Sequence, residues 1–92
     1  MITAIVMIDA EVNQIPEVAD AVAGIKSVRR VYSVTGDVDL IAIVSVPEHE
    51  DLATVIPDQI AKVSGVKELK TYLAFQEFSR ADLEAAFDIG LD

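Results

Sequence analysis

The chain has 92 residues, 52% hydrophobic and 5% aromatic, and its seven Lys and Arg against sixteen Asp and Glu give a formal net charge of −9. That length suits one domain around one core, and the negative field opposes phosphate backbones and anionic headgroups, so direct contact with nucleic acid or membrane is not expected. Zero cysteines exclude disulfides, thiolate nucleophiles and sulfur metal sites. Apolar runs such as 40–44 fall far below the ~20 residues of a spanning helix, and no basic segment precedes a signal-type apolar region, so a cytoplasmic protein is expected.

Residues 2–8 form a short apolar run rich in β-branched side chains, followed by the polar stretch 9–14, which predicts a buried strand. Pro16 then occupies a position that a helix tolerates in its first turn, and Val18, Ala21, Val22 and Ile25 recur at helical spacing up to about Gly24 or Ile25. Two β-forming runs follow, 28–34 and 38–46, the second stopped by Pro47. Between them lies Thr35-Gly36-Asp37-Val38-Asp39. Gly36 supplies the permissive backbone of a sharp reversal, and Asp37 and Asp39, two positions apart, project to one side of an extended chain.

A second helix is predicted over 50–64, with Leu52, Val55, Ile56, Ile60 and Val63 on one stripe and Gly65 as its C-cap. Pro57 conflicts with it, because proline removes a donor and crowds the carbonyl four residues back; a kink or break near Ile56 is expected. Residues 66–75 read as a fourth strand. Ser79-Arg80-Ala81-Asp82 resembles a capping box opening a short terminal helix with Leu83 and Phe87 on one face before Gly90.

Ile25, Val28, Val31 and Ser33 recur as Val63, Val66, Leu69 and Thr71 at a constant offset, each set marking a helix end that enters a strand. Strand, helix, strand, strand, helix, strand is the ferredoxin-like βαββαβ order of an α+β domain, with two helices on one face of a four-stranded antiparallel sheet. Ile2, Ala4, Val6 and Ile8 alternate with Ile5 and Met7, and Leu40, Ala42, Val44 and Val46 with Ile41 and Ile43. Both faces of the central strands are therefore apolar, and the helices cover one. A homodimer through the other face is expected, the alternative being that the terminal helix folds back over the open face of its own sheet.

These features converge on a family. The stretch from Val31 through Tyr32, Thr35, Gly36 and Asp39 to Leu40 resembles the aromatic-x-x-Thr-Gly-x-x-Asp segment of the Lrp/AsnC (feast/famine) effector-binding domain, also called the RAM domain. Ser64-Gly65-Val66 resembles its second junction, where Pro-Gly-Val is more usual, and the likeness spans nearly the whole chain. The first strand begins almost at Met1, so the chain looks like a stand-alone member without the family's helix-turn-helix domain.

The resemblance implies a non-enzymatic domain that binds an amino acid or related metabolite, with no cofactor. Its dimers would assemble further, for instance to octamers, with ligand held between dimers near the Gly-x-x-Asp loops. Full-length Lrp/AsnC regulators are the implied macromolecular partners, and any action on transcription would be indirect; a purely structural role, forming mixed assemblies with those regulators without a ligand of its own, is the alternative.

On that basis the candidate ligand-binding residues are Tyr32, Thr35, Gly36, Asp37 and Asp39. An amino acid's ammonium calls for a carboxylate, for which Asp39 is preferred, and its carboxylate calls for backbone N–H groups or a cation. Plain turn formation by the two aspartates and cross-strand packing by Tyr32 are the structural alternatives. Two carboxylates supply too few oxygens for a calcium cage. Dimeric α/β-barrel monooxygenases and isomerases share the element order, which would make His49, the one histidine, an acid or base; it lacks an adjacent nucleophile or polar cluster. Arg29 and Arg30 read as edge charges or subunit contacts.

Overall fold

The computed structural model describes residues 1–80. Strand β1 (Ile2–Ala10) leads through a 3-10 turn (Val12–Gln14) to helix α1 (Ile15–Ala23), then β2 (Val28–Ser33), β3 (Leu40–Val46), helix α2 (His49–Val55) with a π-helical continuation (Ile56–Ile60), and β4 (Val66–Leu73). The sheet order is β2-β3-β1-β4 and every pairing is antiparallel. This is the expected ferredoxin-like α+β arrangement. The expected terminal helix, with Leu83 and Phe87, lies outside the described residues.

Alternation in the central strands produces the core. Ala4, Val6, Ile8 and Ala10 of β1 and Leu40, Ala42, Val44 and Val46 of β3 are buried, and Val18, Val22, Val55 and Ile60 descend on them from the helical layer. Each large aliphatic side chain so buried contributes roughly 1.5–3 kcal/mol. Val31, Leu52, Val63 and Leu69 close the edges of this cluster.

The repeat is visible in the backbone. The N–H of Ile25 donates to the carbonyl of Val22 and that of Val28 to Ile25, at 3.0 Å each; in the second half Val63 donates to Ile60 at 3.1 Å and Val66 to Val63 at 3.2 Å. Both halves thus enter their second strand through the same turn.

Boundaries differ from expectation where proline and side-chain pairing intervene. The second helix ends at Ile60, not Ser64, and Pro57 converts its second half to π geometry, the break expected at Ile56. Its C-cap is Ala61. Gly65 instead stands in the turn before β4 at φ +99, where its carbonyl accepts from the Glu11 N–H at 2.8 Å. Strand β3 begins at Leu40, not Val38; Asp39, just before it, meets β1 through both its backbone N–H and its side chain. Strand β4 ends at Leu73; one further backbone bond, Ala74 N–H to the Thr3 carbonyl at 2.9 Å, ties down the chain that follows.

Candidate functional site

The loop 34–39 joins β2 to β3 and is fastened at its far end. The Val34 N–H donates to the Asp39 carbonyl at 3.1 Å, and the Asp39 N–H donates to the Ile8 carbonyl at 3.1 Å. The Asp39 carboxylate then accepts the Ala10 N–H through Oδ2 at 2.9 Å. One residue thus extends the β1–β3 ladder by a backbone bond and a side-chain bond, and Ala10, 5% exposed, has its donor satisfied. Gly36 turns the chain at φ +124, in open space, so glycine is needed there for its backbone and not for packing.

This fastening places the loop against the ends of β1 and β4. Asp37 and Asp39 line one concavity of about 550 Å³ together with Asp9, Lys67 and Glu68. Asp37 also borders an adjoining hollow with Met7 and Lys70. Asp37 makes no hydrogen bond or ion pair among the described residues, whereas Asp39 has one oxygen committed to Ala10. The concavity therefore gathers four carboxylates, that of Asp39 half-engaged, around the single ammonium of Lys67, with Lys70 in the adjoining hollow. The net negative lining favours an ammonium, and Lys67 is the one cation on it that could meet a carboxylate.

Of the candidate residues, the structure brings Asp37 and Asp39 together and leaves Thr35 and Gly36 exposed beside them. Tyr32 lies apart, on the open sheet face beside Ile41, 47% exposed. It borders a different concavity. Its hydroxyl accepts from Arg30 Nη1 at 3.4 Å, and this contact holds the Arg30 guanidinium pKa above its ordinary value. Lys67 and Lys70 were not among the sequence candidates; they sit on β4, and only the adjacency of β1 to β4 brings them to the loop.

His49 opens α2 as an exposed residue and lines neither concavity. Among the described residues no group of His, Cys, Asp and Glu is arranged to hold a metal ion. No helix among them is long and apolar enough to cross a membrane.

The Lrp/AsnC ligand-binding-domain model matches residues 3–83. The chain belongs to that family. Among solved structures, this Lrp/AsnC domain is similar to TTHA0845 from Thermus thermophilus, at 39% identity and TM-score 0.82, over 87% of this chain and 100% of that one. It is similar also to the hypothetical protein PHS023 from Pyrococcus horikoshii, at 26% identity and TM-score 0.77, over 87% of this chain and 96% of that one. The transcriptional regulator NMB0573 from Neisseria meningitidis, solved as an L-Met complex, shares the fold at 14% identity and TM-score 0.78, over 86% of this chain and 53% of that one. Comparison with curated protein sequences found no match.

Proposed function

We propose that this Lrp/AsnC domain senses an amino acid and couples its binding to assembly, acting on transcription indirectly, without catalysis and without touching DNA itself. The observation that carries the reading is the acidic hollow in which the unpartnered Asp37 lies with Asp39, Asp9 and Glu68 around the one cation, Lys67. Asp37 takes the ammonium, because Oδ2 of Asp39 already serves Ala10. Lys67 takes the carboxylate as a charge-assisted hydrogen bond. Asp39, first choice for the ammonium on sequence grounds, then acts chiefly by holding the loop. The L-Met complex of the Neisseria meningitidis regulator supports this class of ligand.

The hollow is open to solvent, so a neighbouring copy completes it and supplies side-chain selectivity. Occupancy then stabilises the assembly by mass action. The pairing surface is the sheet face left uncovered among the described residues, where Ile5 lies beside Ile43 and Met7 beside Ile41. Higher assembly, to an octamer for example, follows from contacts between such dimers.

Calorimetric titration with the amino acids, starting from L-Met, tests the reading. Binding is expected to raise the melting temperature, and Asp37→Asn and Lys67→Gln are each expected to weaken it by about tenfold, the scale of one lost charge-assisted bond. If no amino acid shifts the melting temperature and both variants match the parent, the reading fails.

A further inference from the structure

Edge strand β2 holds a second polar cluster of opposite charge. Its register against β3 slips between Val28, opposite Val44, and Arg30, opposite Ile43. Val28 and Val44 belong to the buried face, whereas Tyr32 and its partner Ile41 belong to the open one. In a regular strand Arg29 and Arg30 would point to opposite faces. The additional residue at this β-bulge re-aims the chain, and both arginines border one concavity of about 510 Å³, with Tyr32, Thr3, Ser45 and Glu77.

Two guanidinium groups on one side repel each other, and among the described residues no carboxylate pairs with either, in a chain with sixteen acidic residues. Arg30 instead makes one long, exposed contact, 3.4 Å to the Tyr32 hydroxyl, which leaves its fork open to a ligand. Three hydroxyl groups stand around the pair, and Ile43 gives the hollow an apolar wall. Paired forks with neighbouring O–H donors suit a planar or tetrahedral oxyanion, which arginine binds in bidentate fashion.

We propose that this concavity binds a small organic oxyanion, through a phosphate or carboxylate group, at a site separate from the Asp37 hollow. Arg29 and Arg30 supply the charge, and Thr3, Ser45 and Tyr32 supply hydrogen bonds. Glu77 at the margin opposes an anion, so it sets an upper limit on affinity. The site lies at one end of the open sheet face, across β2, β3 and β1, and shares Ile43 with the surface proposed for pairing. In a face-to-face dimer the bound anion would therefore lie against the neighbouring copy.

Titration of the intact chain with pyrophosphate and, separately, with citrate at constant ionic strength tests the assignment, with potassium chloride as the screening control. Saturable binding of pyrophosphate alone identifies a phosphate group, and of citrate alone a carboxylate; either supports the site if Arg29→Gln and Arg30→Gln each weaken it by about tenfold and Glu77→Gln tightens it. Circular dichroism confirms that the variants fold. Asp37→Asn should keep the anion binding, and the arginine variants should keep the response to amino acids, so the two sites can fail independently. No saturable binding at millimolar anion, or equal binding by the parent and both arginine variants, overturns the proposal. So does a change in sedimentation on arginine substitution without any anion binding, which would assign the pair to subunit contact.

Discussion

Asp39 performs two tasks at the residue scale that its place in a Gly-x-x-Asp loop does not separate. Its carboxylate closes the end of β1 by accepting the Ala10 N–H, and the same group borders the hollow with Asp37. Removing the acceptor leaves a buried donor unsatisfied, which costs about 1–3 kcal/mol. Asp39→Ala is therefore expected to lower unfolding stability by about 2 kcal/mol in urea titration, while Asp39→Asn, which keeps a side-chain oxygen, recovers most of it. An Asp39→Ala midpoint equal to the parent's would remove the structural role. Asp37 has no such duty, so Asp37→Asn leaves stability unchanged and isolates the ligand's contribution. Both carboxylates were legible in sequence; their division of labour required the position of Ala10, far off in the chain.

Among the elements, the second half repeats the first with one distortion. The paired turns, Val22 to Val28 and Ile60 to Val66, carry equivalent hydrogen bonds, and the sequence offset between them announces this. Pro57 marks where the copies diverge, since the second helix continues from Ile56 in π geometry. Gly65 ties the halves together: a Cβ there would lie 2.5 Å from Gln14 Oε1 and 2.7 Å from Val18 Cγ2. Val18 is fully buried and cannot yield. With the positive φ added, Gly65→Ala should cost about 2–4 kcal/mol, against about 1–2 kcal/mol for Gly36→Ala, where backbone strain acts alone. Chemical denaturation of both variants checks the order; a reversed order would show that backbone strain outweighs the clash with α1. Sequence identified Gly65 as a punctuation residue but read it as a helix cap, because the approach of α1 to this turn is a tertiary contact.

At the scale of the whole molecule, one sheet face is sealed and the other, among the described residues, is not. Ile5, Met7, Ile41 and Ile43 form a block across the two central strands, with Tyr72 beside Ile5 and Tyr32 beside Ile41. The tyrosines are 50% and 47% exposed, and an apolar sheet face left to water is disfavoured. Ile41→Glu, which puts a charge at the centre of the block without entering the core, is expected to give a folded monomer by sedimentation, and the parent a dimer. A parent that is itself monomeric at micromolar concentration would sink the pairing proposal.

By itself the sequence determined the element order, the two-faced central strands, the repeat and the loop worth inspecting, because these follow from local periodicity, turn chemistry and a constant offset. Tertiary structure decided which distant groups meet. It brought Lys67 of β4 to Asp37 across the end of β1, separated Tyr32 from the aspartates, and gave the Asp39 carboxylate a backbone partner. It also placed Arg29 and Arg30 in one hollow, since a bulge is a property of two paired strands and leaves no period in either one. Sheet adjacency and register are long-range choices set by packing, and a single strand's sequence carries only the half of each that concerns its own faces.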